Sequence, residues 1–415
     1  MLSCWLPGSR PSPLILNQAF PLRIALLAGC LEPGRDGVGD YTPGLAAEAV
    51  ATGAPILTVA LHDPFVTKVE CKERAGVVVL RLPAEMPWAA RLRHARKALD
   101  EFDPDWVSLQ FVPYSFHPRG WTLGLARRLR PLLARPARPD QRKADRHLHV
   151  MFHELWLGGG AEASWKHRAE GLWQRWLILR FLRAMRPSVV HTSNPTYAHM
   201  LREAGVKAAV LPLFGSIPLD APEAAREEAE AWWAGELASM SLSAEERQSY
   251  WVFGVFGSIH REWWPGELFT ALLAQPPTLR RSLALVTIGR SGPAGEEVLR
   301  RLEHEFAGVV RFRHLGEQPP ARVATVFRHL DFGISTSPWA LIGKSSSAAA
   351  MREHGVPVIV TRVDDSTPSV TDDDSLLKFD AALPAKLGAV GRRVVGSYRP
   401  KIVRRWYAAL ERTKL

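Results

Sequence analysis

Short apolar runs alternate with amphipathic stretches along most of the chain. In its first half the runs lie at 21–29, 54–63, 76–83, 106–112, 149–157, 188–193 and 208–214. Most are apolar at nearly every position, as expected for parallel strands covered on both faces. The stretches between them, such as 88–102 and 166–186, have apolar residues at helical spacing. The pattern predicts a doubly wound α/β domain over 21–218, preceded by an extension at 1–20.

The alternation stops at 219–248, where Ala, Glu and Trp are frequent and no long apolar run occurs. We predict a helical connector there. The alternation then resumes with runs at 251–258, 283–289, 309–316, 331–337 and 356–362. These predict a second Rossmann-like domain over 249–395, followed by a C-terminal helix over 396–415. Ligands of such folds bind outside the carboxyl ends of the strands, so functional residues are expected in the loops that follow them.

One of these loops contains the tripeptide Gly343-Lys344-Ser345. A Walker A loop needs a glycine five positions before it, but Pro338 stands there and offers no N–H group. The residues instead predict an anion site, in which a helix begins beside Gly343 and directs its positive dipole end and serine N–H groups at the loop. The structural alternative is an ordinary serine N-cap beside a solvated lysine.

Charge and composition narrow the choice of partners. The 415-residue chain has a formal net charge of +11, which favours anionic partners or reflects a biased composition with solvated charge. No nucleic-acid module is recognisable, so we expect no nucleic-acid partner. The run at 127–146 and the segment 165–186 mix Arg and Lys with Trp, Leu and Phe. They suit either a peripheral contact of 127–186 with an anionic membrane or a core-packing helix beside a solvated loop.

Few features point to metals, disulfides or membrane insertion. The three cysteines form no CxxC pair, which favours a reducing compartment and disfavours a structural zinc site. Residues 1–20 are broken by prolines and no apolar run reaches the ~18–20 residues of a membrane span, so we expect a cytoplasmic protein without a signal peptide. The aspartates of 363–375 are interpreted as a surface loop and not as a metal site.

The pattern G-x₆-A-M-x₃-G-V-P-V-I-V, which starts at Gly343, resembles the donor motif of family 4 of the GT-B glycosyltransferases. Further resemblances lie at 33–49, 104–111, 151–154, 256–273, 286–302 and 310–332. The resemblance implies two Rossmann-like domains that face each other across a cleft, with a C-terminal helix that crosses back. It implies a metal-independent transfer of a hexose-type sugar from a nucleoside-diphosphate sugar to a hydroxyl acceptor, with retention of configuration and no further cofactor.

The same resemblance, together with position after predicted strands, assigns roles to individual residues. The donor diphosphate is expected to contact Gly257, Arg261, Gly343, Lys344, Ser345 and Ser346, with His260 as a further candidate. The nucleotide base and ribose are expected to contact Gly289, Arg290, Leu315, Gly316 and Glu353. The acceptor or sugar is expected to contact Gly37, Gly39, Tyr41 and Glu154. The candidate catalytic residues are His153 and Asp40, with His117 and His191 as weaker candidates.

Several of these residues also have a purely structural interpretation. Arg261 would be an exposed arginine before a helix, and Asp40 an N-cap. His153 would be a core histidine, and Glu353 a member of an exposed helix surface. We favour that last interpretation for Glu353.

The sequence departs from the family pattern at two positions. The two glutamates of the family motif, which hold the donor sugar and ribose in relatives, fall at Ile342 and Ala350. Two alternatives to a transferase therefore stay open. One is a relative that binds nucleotide sugar without turnover, and the other is an epimerase of the same fold.

Overall fold

The computed structural model describes residues 22–35, 37–136, 145–157, 164–363 and 374–414. The predicted extension at 1–20, residues 137–144 of the basic run and most of the aspartate-rich segment lie outside the described residues. The chain divides into two compact units. The first unit comprises the chain up to Leu211, apart from Asn194–Thr196, together with Arg399–Leu415. The second unit comprises Asn194–Thr196 and Pro212–Tyr398.

The first unit is built on an eight-stranded sheet in the order β3-β4-β2-β1-β5-β6-β7-β8. Its strands are β1 Ile24–Ala28, β2 Ile56–Asp63, β3 Glu70–Arg74, β4 Val77–Pro83, β5 Trp106–Phe111, β6 His147–Phe152, β7 Val189–Thr192 and β8 Ala209–Val210. Its helices are α1 Gly37–Ala51, α2 Trp88–Phe102, α3 Leu125–Leu129, α4 Trp165–Met185 and most of α5 Pro195–Glu203. Short 3₁₀ helices lie at Pro113–Ser115 and Arg130–Leu132.

The parallel core of this sheet confirms the prediction from apolar runs. Every residue of β1 and β5 is buried, because helices cover both faces of the sheet. The exception is β3, which pairs antiparallel with β4 at the sheet edge. It was missed because its sequence, Glu-Cys-Lys-Glu-Arg, is charged and has no apolar face. Such charged side chains are typical of edge strands, where they prevent pairing with other chains.

The second unit has a six-stranded parallel sheet in the order β11-β10-β9-β12-β13-β14. Its strands are β9 Tyr250–Phe256, β10 Ser282–Ile288, β11 Val310–His314, β12 Phe332–Ser335, β13 Val358–Val360 and β14 Leu376–Lys378. Its helices are α6 Glu223–Ser239, α7 Ala244–Arg247, α8 Gly266–Leu273, α9 Gly292–Glu305, α10 Pro320–His329, α11 Ser346–Glu353 and α12 Leu383–Lys386. Short 3₁₀ helices lie at Trp339–Lys344 and Leu387–Ala389. The three-residue strand β14 was too short to detect from periodicity.

The segment predicted as a connector, 219–248, belongs to the second unit. Its helix α6 packs against α10, and Trp233 is 1% exposed in a core cluster with Val323, Phe327 and Leu330. The Trp ring therefore joins α6 to the hydrophobic core of this unit. No periodic apolar pattern predicts that packing, because α6 is otherwise mostly exposed Ala and Glu.

The predicted C-terminal helix is α13, Arg399–Lys414, and it packs on the first unit. Trp406 is fully buried, and its indole N–H donates to His149 Nδ1 at 3.3 Å. Tyr407 accepts a hydrogen bond from the Leu22 N–H at 2.7 Å. Among the described residues, no helix is both long and apolar enough to span a bilayer.

We expect Trp406→Phe to lower the free energy of unfolding of the first unit by about 1–3 kcal/mol. The change removes the donor to His149 and leaves a small void beside it. Chemical denaturation would measure the effect, with Trp173→Phe as the control because Trp173 is 42% exposed. Equal stability of the two variants would contradict the role of Trp406.

Candidate functional site

The loop after β9 lies directly against the start of α11. Gly257 follows β9 with φ of +89°, a backbone conformation that favours glycine. A Cβ at this position would lie 2.5 Å from Ser347 Oγ. The structure therefore brings the predicted residue Gly257 to the first turn of the predicted helix, and it adds Ser347 to the predicted serines.

Two more predicted glycines lie in the loops after the neighbouring strands β10 and β11. Gly289 has φ of +106°, and a Cβ there would lie 3.2 Å from Gly257 Cα. The Gly257 N–H donates to Ile288 O at 2.9 Å, and the Gly289 N–H donates to Gly316 O at 2.8 Å. Gly316 also has a positive φ of +63°. Three glycine loops thus meet along one edge of the sheet, and a side chain at residue 257 or 289 would crowd the neighbouring loop or helix.

The N-terminus of α11 completes this edge. Ser345 caps the helix, since its Oγ accepts from the Ala348 N–H at 3.2 Å. The N–H groups of the first helical turn have no acceptor within a helix, and they carry the positive end of its dipole. Lys344 is half-buried at the end of the preceding 3₁₀ helix. Thr336 Oγ1 donates to Ser258 O at 2.9 Å and so ties the loop after β12 to the loop after β9.

The remaining predicted donor residues lie in the loops after β9, β10 and β11. Arg261 and His260 are exposed in the turn after β9. Arg290 forms an ion pair with Glu317 at 2.9 Å, with 39% of the Arg290 side chain exposed. Leu315 is buried. The loops after β10 and β11 are therefore linked both by the Gly289–Gly316 hydrogen bond and by this ion pair.

Glu353 is not on an exposed helix surface, and that interpretation was wrong. The residue is 2% exposed at the end of α11. Its Oε2 accepts from the Gly215 N–H at 3.0 Å and its Oε1 accepts from the Tyr398 N–H at 2.7 Å. Its contact with the ribose stays a prediction, and these two hydrogen bonds argue against it.

The two positions that align with the family glutamates are closed off. Ile342 is 3% exposed and Ala350 is fully buried. A Cβ on Gly215 would lie 2.5 Å from Ala350 Cα, so the backbone of residue 215 packs directly on that part of α11. The alanine therefore fits a close contact between helix and loop within the second unit.

In the first unit, the loop after β1 is fixed by carboxylates. Asp40, in the first turn of α1, accepts from the Gly34 N–H at 2.7 Å, which is a loop-ordering contact. Gly37 begins α1 and Gly39 is buried within its first turn. Asp63, which the sequence did not single out, is fully buried and accepts from the Leu31 N–H at 3.3 Å.

Asp63 also forms an ion pair with Arg81 at 2.7 Å. Burial by itself would raise the pKa of Asp63, but the hydrogen bonds from Arg81 and from the Phe65 and Leu31 N–H groups lower it below its ordinary value. The ionised form is thus favoured in the folded state. A single aspartate among apolar strand residues gave no sequence signal, since its partner Arg81 lies on another strand.

His153 follows β6 and is buried, as expected for a core histidine. Its ring meets the ring of Tyr41 edge-on, with centroids 5.0 Å apart. Its Nε2 donates to Gln110 Oε1 at 3.0 Å, and Gln110 Nε2 donates to Ser108 Oγ at 2.9 Å. Glu154 is half-buried next to it. The structure therefore joins the predicted residues His153 and Tyr41, and it adds Gln110 as the partner of His153.

The hydrogen bonds continue from Ser108 and have a fixed direction. An indole only donates, so the Trp406 N–H requires a bare Nδ1 on His149. Ser108 Oγ, 2.7 Å from the same Nδ1, must then donate as well. The His149 proton is left on Nε2, which donates to His191 Nδ1 at 3.0 Å. The chain of donors thus runs from His153 to His191.

Burial keeps the three histidines of this hydrogen-bonded series, His149, His153 and His191, neutral at pH 7. It lowers the pKa of His153 to about 3. Burial, together with the charge of Arg405, lowers the pKa of His191 to about 4. Burial lowers the pKa of His149 well below its ordinary value. A neutral His153 whose Nε2 donates to Gln110 has a bare Nδ1 that can accept a hydrogen bond.

Among the described residues, no group of three or more His, Cys, Asp and Glu side chains is placed to hold a metal ion.

We expect Glu353→Gln to lower the free energy of unfolding of the second unit by about 1–3 kcal/mol. Glutamine has one acceptor oxygen, so its NH₂ group would face either the Gly215 or the Tyr398 N–H. Thermal or chemical denaturation would measure the change against Glu227→Gln, a variant of an exposed α6 residue. A loss no larger than that of the control would disprove the two-amide role of Glu353.

Acid should weaken the β1 loop through Asp63. Because the pKa of Asp63 is lower in the folded state, its stabilisation is present above its unfolded pKa of about 3.9 and is lost as the pH falls through the folded value. Asp63→Asn should therefore lose stability at pH 7 and show a smaller further loss than the unmutated protein on acidification below about pH 4. Denaturation curves across that range test this. Parallel pH profiles for the two proteins would refute it.

Comparison with known proteins places the fold. No protein-family model and no curated protein matches the chain. HepE of Anabaena, solved with UDP and glucose, has a TM-score of 0.56 at 12% identity and covers 94% of this chain and 99% of its own. The catalytic domain of starch synthase IV of Arabidopsis thaliana, bound to ADP and acarbose, has a TM-score of 0.53 at 12% identity over 95% and 98%.

Trehalose-6-phosphate synthase of Burkholderia multivorans has a TM-score of 0.52 at 13% identity and covers 94% of this chain and 98% of its own. Identities this low carry information about the fold alone. The structural match extends over nearly the whole chain, so it includes both sheets. The chain has the two-domain α/β fold of the GT-B glycosyltransferases.

Proposed function

We propose that the protein is a glycosyltransferase that moves a hexose-type sugar from a nucleoside-diphosphate sugar to a hydroxyl acceptor. The observation that carries the proposal is the contact of the Gly257 loop with the first turn of α11, with the Gly289 loop against Gly257 and the Gly316 loop hydrogen-bonded to Gly289. The N–H groups of that first helical turn and the positive end of its dipole suit a diphosphate. Structures of the same fold contain UDP with glucose, or ADP.

The second unit would bind the donor. The N–H groups of Ser346 and Ser347 and the dipole of α11 would face the diphosphate, with Lys344 and the exposed Arg261 as cations. Together they would stabilise the negative charge that develops on the leaving diphosphate, without a metal ion. Gly289, Arg290 and Gly316 would border the nucleoside.

The first unit would bind the acceptor or the sugar through His153. With a pKa of about 3, His153 is poorly matched to remove a proton near pH 7. Its bare Nδ1 is suited to accept a hydrogen bond from a hydroxyl, while Gln110 holds the ring from the other side. This role fits the retaining reaction that the family resemblance implies, since such a reaction does not require His153 as the base. Asp40 would shape the glycine-rich loop through Gly34.

A second candidate function is nucleotide-sugar binding without turnover. It is favoured by the burial of Ile342 and Ala350 at the positions of the family glutamates. The packing of Gly215 on Ala350 shows that this part of α11 serves the fold. An epimerase of the same fold is distinguished by its products, which would form without an acceptor.

We further propose that α4 brings the protein to the surface of an anionic membrane. Its outer face exposes Trp165 (74%), Leu172 (64%), Trp173 (42%) and Trp176 (46%). Trp165 and Leu172 are seven residues apart, and Leu172 and Trp173 lie four and three residues before Trp176. At these helical spacings the four side chains form one stripe. The exposed cations on the helix are Lys166, Arg168, Arg180 and Arg183. An apolar stripe with aromatic rings and flanking cations is typical of interfacial helices.

The basic run before α4 contributes less to this surface than its composition suggests. The Arg146 side chain is fully buried and donates to Leu132 O, Ala134 O and Leu99 O. Arg135 lies within 4 Å of Asp103 and Asp105. Both arginines therefore stabilise the first unit, whereas Arg127, Arg128 and Arg130 of the same run are exposed and could add to the charge beside α4.

Thermal shift against UDP, GDP, ADP and dTDP tests donor binding. We expect one diphosphate, at ~100 times its Kd, to stabilise the protein by about 2.7 kcal/mol. Lys344→Ala should weaken the effect, and Gly257→Ala should abolish it because its Cβ would meet Ser347 Oγ. Lys386→Ala, an exposed lysine on α12, serves as the control.

The outcomes separate the candidates. Selective stabilisation together with sugar transfer to an added acceptor supports the transferase. Stabilisation without turnover supports the binding protein, and sugar conversion without an acceptor supports the epimerase. If no diphosphate stabilises the folded protein, the donor site itself is refuted.

Vesicle flotation tests the membrane contact of α4. The double variant Trp173→Ser/Trp176→Ser should bind phosphatidylglycerol vesicles at least about tenfold more weakly, because full burial of a large apolar side chain contributes about 1.5–3 kcal/mol and roughly half of each ring is exposed. Binding by the unmutated protein should also fall at high salt. Leu279→Ser/Val394→Ser, which removes two exposed apolar residues elsewhere, is the control. Equal binding by both double variants would rule out α4 as the contact.

A further inference from the structure

A cavity of about 740 Å³ lies in the first unit, between the β7–β8 edge of the sheet and α13. It is separate in sequence and in unit from the glycine loops of the donor site. Five cations line it: Lys207, Lys401, Arg404, Arg405 and Arg412. No acidic residue is among its lining residues. Within the part of the chain that the structure describes, none of these five cations takes part in an ion pair.

The helical geometry of α13 concentrates these charges. Lys401, Arg405 and Arg412 recur at spacings of four and seven residues, which places them on one face of the helix. Ala408 and Ala409 lie between them and leave the space of the cavity open. Since a helix rises ~1.5 Å per residue, the cations extend along ~16 Å of α13. That length exceeds a single phosphate group and suits a ligand with more than one.

The floor of the cavity adds a neutral donor. His191 lines the cavity, and its Nδ1 accepts from His149 Nε2. A neutral imidazole has one proton, so His191 carries it on Nε2. The pKa of about 4, caused by burial and by the Arg405 charge, keeps this form at pH 7. The direction set by the Trp406 indole therefore leaves His191, one of the lining residues, with its proton on Nε2.

Like charges held close together repel one another unless an anion lies between them. Arg405 Nη2 donates to Val210 O at 3.2 Å, which holds one guanidinium at the sheet edge. Arg404 and Arg412 are exposed and have further N–H groups to offer. A guanidinium matches the geometry of two phosphate oxygens. We propose that this cavity binds a ligand with two or more phosphate groups, supplied as a free phosphorylated molecule or as the headgroup of an anionic lipid.

Calorimetric titration with inorganic pyrophosphate tests the first source. The experiment uses the full chain with Lys344→Ala as background, so that the proposed donor site contributes little. We expect binding that weakens roughly tenfold or more in Arg404→Gln/Arg412→Gln, because each charge-assisted pair adds substantially to affinity. Arg93→Gln/Arg226→Gln removes two exposed charges elsewhere and should leave the affinity unchanged.

Flotation with cardiolipin–phosphatidylcholine vesicles tests the second source, because cardiolipin is an anionic lipid with two phosphate groups. It uses Trp173→Ser/Trp176→Ser as background, so that α4 contributes little, and pure phosphatidylcholine vesicles as the blank. Loss of vesicle binding in Arg404→Gln/Arg412→Gln would support a lipid headgroup as the ligand. If the protein binds neither pyrophosphate nor vesicles, the cavity is not a phosphate site. The same conclusion follows if the Arg404→Gln/Arg412→Gln variant binds both as strongly as the protein without these two changes. Neither result depends on the donor site, so a failed donor prediction would leave this test intact.

Discussion

The arrangement of the second unit depends on a steric constraint, the close approach of three backbone loops at one edge of its sheet. Gly257 lies against both Ser347 and Gly289, and Gly289 is hydrogen-bonded to Gly316. Any Cβ at residue 257 would overlap Ser347 Oγ and would also occupy a strained backbone conformation. The close approach leaves backbone N–H groups at the start of α11 as the main polar feature of this edge. Because this edge is defined by glycine conformations and backbone contacts, it depends on few side chains.

The first unit is organised differently, by buried polar side chains. One indole N–H, from Trp406, decides the tautomer of His149, and through it the roles of Ser108, Gln110 and His153. Because α13 supplies that indole, the C-terminal helix controls hydrogen bonding at the far end of the sheet core. Buried polar groups that are fully paired have a single favourable arrangement. The bare Nδ1 of His153 and the protonated Nε2 of His191 therefore lie at the two ends of one series of hydrogen bonds.

The sequence predicts the parts that depend on local patterns. The buried strands, the Gly343–Ser346 loop and the C-terminal helix follow from apolar periodicity and cap residues. Three features could not be predicted, because each depends on residues distant in sequence. Glu353 contacts Gly215 and Tyr398, Asp63 contacts Arg81, and Trp233 packs on α10. The edge strand β3 shows the opposite case, since its charged sequence hides a strand that only its pairing with β4 defines.

The net charge of +11 was open to two interpretations, and the location of the arginines decides between them in part. One group is held by hydrogen bonds and ion pairs within the fold. Arg146 and Arg392 are hydrogen-bonded to backbone carbonyl groups, and Arg81 is paired with Asp63, so their charges are used to hold the fold.

A second group lies on two helices of the first unit, beside the exposed tryptophans of α4 and along the cavity face of α13. The five cations that line the cavity have no ion pair among the described residues, and no acidic residue lines it. Exposed arginines such as Arg93 and Arg226 also lie elsewhere, so part of the charge is spread over the surface. The cations beside an aromatic stripe and around a cavity without acidic residues favour binding of anions as one reason for the charge.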